Sequence, residues 1–226
     1  MQVVQGKRLA ELPAWTLGEL RRRAVRVIVD VGTGDARAAY RLAKAHPDWL
    51  VIGIDPAWQR MAPTSVRGSR KPARGGTPNL VLVNASIEAV PADLHNLADE
   101  VLVLMPWGKL LRGIAHGERD VCAGLRAVAT PGASLHVIVG TSIWRDPVPL
   151  EIRGLPELTS CYVDRVLAGR LAAVGWQVTM SELITGADTP GLSSSWARRL
   201  GSATPETMIH IAAVATTLRP GECADR

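Results

Sequence analysis

Cysteine is scarce: Cys122, Cys161 and Cys223 are the only three in 226 residues. Odd in number, far apart and without a CxxC or Cys/His pairing, they exclude a disulfide framework and a thiolate metal site. They imply free thiols in a reducing compartment and no metal. Long apolar runs are missing too, since each is broken by Pro, Gly or Ser before it could span a bilayer, and the opening MQVVQGKRLAEL lacks the apolar core of a secretory signal. A soluble cytoplasmic monomer with no membrane partner is expected. The last absence is local. From Pro56 to Ile87 there is no Asp or Glu, yet Arg60, Arg67, Arg70, Lys71 and Arg74 all fall there. Charge of one sign suits a phosphate backbone, because each neutralised phosphate releases counterions; a solvated loop that happens to lack acids is the alternative.

What is present reads as one domain over residues 1–226, with 47% hydrophobic and 21% charged residues and a net charge of +5. Apolar β-branched runs predict strands at 25–32, 49–56, 79–86, 99–106, 135–140, 176–184 and 207–217. Helical spacing predicts helices at 36–47, 118–129 and 158–174. Strands alternating with helices imply a parallel sheet whose ligands sit at the carboxyl ends of the strands. Residues 1–24 read as an extension, with a small hairpin around Gly6 and Arg21, Arg22 and Arg23 on the solvent face of a helix.

The cofactor signal is Asp30-Val31-Gly32-Thr33-Gly34-Asp35-Ala36, with Asp55 closing the next strand. Glycines after the first strand let the backbone approach a ligand, and an acid ending the second can accept from both ribose hydroxyls. A nicotinamide fingerprint would want a third small residue where Arg37 stands. An acid two residues before the first glycine instead suits a cationic, phosphate-free cofactor such as S-adenosylmethionine. A plain strand-to-helix turn would leave Asp30 and Asp55 unexplained.

In order along the chain, DVGTGDA, GIDP, KPARGGTPNLVLV, LMPWGKLLRG, RGLPEL and SSWARRL resemble the aminoglycoside-resistance 16S rRNA adenine-N1 methyltransferases of the kanamycin–apramycin type, from about Val3 to Thr217. The resemblance implies an α/β, class I methyltransferase fold: a Rossmann-like, mostly parallel sheet of seven strands, the last antiparallel. It implies methylation of N1 of the decoding-site adenosine, conventionally numbered 1408, on the assembled 30S subunit. It carries cofactor contacts onto Asp30, Gly32, Gly34, Asp55, Ser86, Ile87, Glu88, Leu104 and Ser194. RNA contacts fall on Arg67, Arg70, Lys71, Arg74, Arg198 and Arg199, and residues 185–206 become an RNA-contacting insertion between the last two strands. Three departures stand out: Ala36 replaces a third glycine, Lys109 replaces a Ser or Thr after PWG and can reach the cofactor's carboxylate, and no Lys or Arg lies in GSATPETMIHIAAVA.

Trp107 and Trp196 fit that chemistry. A stacked, paired base cannot present N1 to a donor, so it must be extruded and held by its faces, and base–aromatic stacking contributes roughly 1–3 kcal/mol per base. Pro, Gly, Ser and Arg neighbours place these two tryptophans at turns beside the cofactor, whereas Trp49 and Trp176 read as core. Met105 stands where enzymes acting on the exocyclic amine carry Asn or Asp. Adenine N1 already has an in-plane lone pair, so orientation without a general base suffices. A methyltransferase for tRNA or a small molecule would need neither the basic stretch nor the paired tryptophans, and a silent RNA-binding protein would not need the cofactor motif.

Overall fold

The computed structural model describes residues 1–185 and 207–217. Its frame is one sheet of nine strands: β1 (Gln2–Gln5), β2 (Arg8–Glu11), β3 (Arg26–Val31), β4 (Trp49–Ile54), β5 (Leu80–Val83), β6 (Ala98–Leu104), β7 (Ala129–Gly140), β8 (Trp176–Thr185) and β9 (Thr207–Ala215). The spatial order is β2-β1-β5-β4-β3-β6-β7-β9-β8. Strands β5, β4, β3, β6 and β7 run parallel, and β9 lies antiparallel between β7 and β8. The expected seven strands and reversed last strand are therefore there, and the N-terminal hairpin lengthens the same sheet by pairing Val3 with Val83.

The run Arg26-Val-Ile-Val-Asp-Val buries everything after its first residue because β3 is central and covered on both faces. One face packs Val27, Val29, Ile52 and Val101 against α5 (Arg119–Val128) and the helical segment Ser160–Ala172. That segment is α6 (Ser160–Tyr162), a π-helical stretch over Val163–Leu167 and α7 (Ala168–Ala172). On the other face lie α2 (Arg37–Ala45) and α3 (Trp58–Gly68), with α1 (Ala14–Arg23) joining the hairpin to β3. Trp176 is fully buried, as expected. Trp49 is only partly so: it stacks on His46 at 3.7 Å with the Arg26 guanidinium 5.2 Å from its ring. Cys122 is buried and Cys161 exposed, both as free thiols; Cys223 lies outside the described residues.

Two helices escape the sequence pattern. Helix α3 carries Pro63 in its interior, a residue that removes a helix hydrogen bond, and α4 (Gly108–Ala115) starts on a glycine at φ +59°. The basic stretch is consequently no open loop but a helix followed by a 3-10 turn over Pro72–Arg74.

The hairpin braces this helix. Ser65 on α3 accepts the Gly6 N–H at 2.9 Å and donates to the Val4 carbonyl at 2.8 Å, while Val4 packs with Ala36, Met61 and Leu82. Ser65→Ala leaves the part-buried Gly6 N–H and the buried Val4 carbonyl without this partner, so urea unfolding should show a loss of about 1–3 kcal/mol; unchanged stability would mean the hairpin does not depend on this link.

Candidate active site

A cavity of about 610 Å³ opens where the carboxyl ends of β3, β4, β6 and β7 meet. That is the size and place expected of a small-molecule site in an open α/β sheet.

Its first wall is the turn after β3. Gly32 and Gly34 take φ of +70° and +59°, a region that L side chains rarely enter, and a Cβ on Gly32 would lie 2.4 Å from Leu110 Cδ2. The amides of Gly32 and Thr33 donate to the Ile54 carbonyl at 2.9 and 3.1 Å, and Gly34 donates to Asp55 Oδ2 at 2.9 Å. Asp55 Oδ1 accepts from the Ala57 N–H at 2.8 Å. Backbone amides thus orient both carboxylate oxygens of Asp55, which lines the cavity and keeps a further lone pair on each for a diol. Ala36 also sits at positive φ, +56°, with its methyl fully buried, so its side chain offsets by packing part of the strain a glycine would avoid.

Asp30 stands behind this wall. It is 3% exposed, does not line the cavity, and its Oδ2 accepts from the Thr33 hydroxyl at 2.6 Å. Burial raises its pKa to about 7; the Thr33 hydrogen bond pulls the other way, and Asp55 and Asp35 push it up further. Its negative form has no counter-ion among the described residues, so a cation in the adjoining cavity would stabilise that form.

Ser86, Ile87 and Glu88 form the second wall, and Gly124 of α5 permits the close approach there, since a Cβ on it would lie 2.0 Å from the Ile87 carbonyl. The third wall follows β6: Leu104, Met105, Pro106, Trp107 and Lys109 all line the cavity. Met105 is held at φ +51°, its N–H donating to the Ile138 carbonyl at 2.8 Å, a backbone state that costs on the order of 1–3 kcal/mol in a non-glycine residue. Strand β6 stops one residue before that strained position, and Trp107, 52% exposed, flanks the start of α4 at the mouth. Val139, Gly140, Ser142 and Ile143 complete the enclosure, with Pro56 and Arg60 beside Asp55.

Outside the cavity, Arg67 stacks on the Tyr40 ring at 4.7 Å, and the Tyr40 hydroxyl donates to the Gly75 carbonyl at 2.5 Å. Arg70, Lys71 and Arg74 are exposed, and none of these four cations pairs with a carboxylate among the described residues. Ser194, Trp196, Arg198 and Arg199 lie outside the described residues.

A family model described as NpmA, 16S rRNA (adenine(1408)-N(1))-methyltransferase, matches residues 2–215. The chain belongs to this 16S rRNA methyltransferase family. It is 41% identical over 202 residues to the 16S rRNA (adenine(1408)-N(1))-methyltransferase of Streptoalloteichus hindustanus, covering 89% of this chain and 93% of that protein. Among solved structures, a tryptophan-to-alanine variant of the 16S rRNA (adenine(1408)-N(1))-methyltransferase from Catenulisporales acidiphilia, with cosubstrate SAM, is 59% identical. It superposes with a TM-score of 0.91 over 97% of this chain and 98% of that one. The 16S rRNA methyltransferase KamB is 36% identical with a TM-score of 0.86, over 96% of this chain and all of that one. As in those methyltransferases, the fold is the class I arrangement.

The donor set fits S-adenosylmethionine: a carboxylate pre-oriented for a ribose, a buried carboxyl that gains from a cation, and a glycine turn that leaves the backbone bare. Asp30 also marks the methyltransferase's own pH dependence. With a folded pKa of about 7 against 3.8 in the unfolded chain, the native state alone binds this proton between those values, so the residue opposes folding increasingly as pH rises through that window. Urea titrations of the ligand-free protein across that range should show Asp30→Asn gaining on the parent as pH increases; parallel curves would contradict the uncompensated burial.

Proposed function

We propose that this methyltransferase modifies N1 of adenosine 1408 of 16S rRNA in the assembled 30S subunit, using S-adenosylmethionine, and so confers aminoglycoside resistance as a cytoplasmic monomer. The observation that carries the reading is the half-exposed Trp107 at the mouth of a cavity whose inner end holds Asp55 and the Gly32–Gly34 turn. When bound, S-adenosylmethionine supplies an electrophilic methyl group on a sulfonium.

The chain's own residues do the rest. Asp55 accepts from the ribose hydroxyls, Ser86, Ile87, Glu88 and Leu104 flank the adenine, and Asp30 balances the positive charge from behind the turn. Lys109 reaches the methionine carboxylate from the third wall, with Ser194 near the same end. Trp107 and Trp196 hold the extruded base between their faces, and the strained Met105 backbone fixes where the Trp107 ring can stand. Arg67, Arg70, Lys71 and Arg74, with Arg198 and Arg199 of the 185–206 insertion, grip phosphates and set the register. N1 of adenine loses no proton on methylation, so these groups bind and orient and none removes a proton.

Transfer of labelled methyl from S-adenosylmethionine to 30S subunits, with none to tRNA or free aminoglycoside, is the expected result; label in either of the latter instead would overturn the target. Trp107→Ala should abolish most transfer in single turnover while calorimetric cofactor affinity and melting temperature stay near the parent's, and Trp107→Phe should keep part of the rate. A fully buried aromatic would instead cost roughly 3–5 kcal/mol on truncation. A Trp107→Ala protein that methylates at the parent rate would remove the ring from the reaction. Charge reversal at Arg67, Arg70, Lys71 and Arg74 should weaken 30S binding and flatten its salt dependence without touching cofactor affinity; an unchanged slope would place RNA on another face.

A further inference from the structure

We infer that Arg60 is a positioning residue for the target nucleotide, binding a backbone phosphate beside the extruded adenosine at the rim of the cavity; this rests on the reading of the chain as an rRNA methyltransferase. Arg60 belongs to two environments at once. It lines the cavity beside Gly34, Asp55 and Pro56, with its Nη2 only 3.8 Å from where a Gly34 Cβ would stand, yet its side chain is exposed. It also sits in the first turn of α3, the helix that carries Arg67 and leads into Arg70, Lys71 and Arg74. Arg60 and Arg67 are seven residues apart, two helical turns, which places them on one face and about 10 Å apart along the axis. A row of cations thus runs from the exposed 3-10 turn to the lip of the reaction cavity.

The chemistry selects a phosphate as the partner. Arg60 makes no ion pair with a carboxylate among the described residues, neighbouring Asp55 included. A guanidinium presents five fixed donors and cannot shed its charge, so an anion is its natural complement. The cofactor offers one anion, its carboxylate, whereas Arg60 stands beside the ribose-binding acid, and Lys109 is the cation on the α4 side of the cavity. The substrate offers a phosphate on either side of the extruded nucleotide, at the height of the rim. Gripping it there ties the docked subunit to the flipped base.

The test uses the full chain and 30S subunits. For Arg60→Gln, calorimetric affinity for S-adenosylmethionine and melting temperature should match the parent. The slope of log binding constant against log salt should fall by about 0.7–0.9, the value for one phosphate contact. The single-turnover rate at saturating subunits should drop at least about tenfold, because a misplaced reactant loses near-attack geometry. Arg60→Lys should restore the slope and part of the rate. Lost cofactor affinity with an unchanged salt slope would overturn the inference by assigning Arg60 to the cofactor, and parent-like slope and rate would overturn it by leaving the side chain to solvent. Parent protein that fails to methylate 30S subunits would instead sink the functional reading beneath it, so the two failures are separable.

Discussion

The hydrogen bond from the Gly34 amide to Asp55 Oδ2, 2.9 Å long, joins the turn after β3 to the end of β4, and the rest of the site is hung on that join. It forms only because Gly32 and Gly34 adopt positive φ and because the Ile54 carbonyl, one residue before Asp55, accepts from Gly32 and Thr33. With the turn fixed, Thr33 Oγ1 is delivered to Asp30, α2 starts from the buried Ala36, and Leu110 of α4 fits against a glycine that has no side chain to block it. One short parallel pairing therefore sets two carboxyl groups, the bare backbone between them, and the approach of the helix behind Trp107.

The two carboxyl groups differ because their surroundings differ. Asp55 is at the cavity surface with each oxygen held by one amide, which orients its remaining lone pairs for a ligand. Asp30 is sealed behind the turn, and burial keeps its proton until about neutral pH. A site built this way favours a ligand that brings positive charge, and a methyl sulfonium does so. Under the proposed function, the strained Met105 and the exposed Trp107 at the other end of the cavity would serve the second reactant, and the cations of α3 and the turn beyond it would serve the nucleic acid that carries it. On that reading, docking, base holding and methyl donation fall to different elements that meet at one edge of the sheet.

Much of this is legible in the sequence because the strands are buried on both faces and read as unbroken apolar runs: RVIVDV, WLVIGI and EVLVL each stand where their pattern puts them. The acid–glycine turn and Asp55 are legible for the same reason, since their spacing is dictated by adjacent parallel strands. Helices α3 and α4 are not, because Pro63 and Gly108 look like breaks until tertiary packing overrides them. Without α3 as a helix, the i to i+7 relation between Arg60 and Arg67 is invisible, and Arg60 is one more charge in a basic run. The wall at Gly140, Ser142 and Ile143 is contributed by a turn whose residue types carry no chemical signature. Asp30 is legible as an acid near a cation, but its place behind the wall follows from the sheet's second layer, which no local pattern encodes.

Methyl transfer to N1 removes the Watson–Crick face of the target adenine, so a reverse transcriptase halts beside it. Primer extension on 16S rRNA recovered from 30S subunits, incubated with the purified protein and S-adenosylmethionine, therefore measures the product directly. A single new stop next to adenosine 1408, absent without S-adenosylmethionine and absent with Trp107→Ala, is the predicted result. Subunits that acquire label from the donor yet show no stop there, or a stop at a different nucleotide, would contradict the assignment of this cavity and its tryptophan to adenine N1.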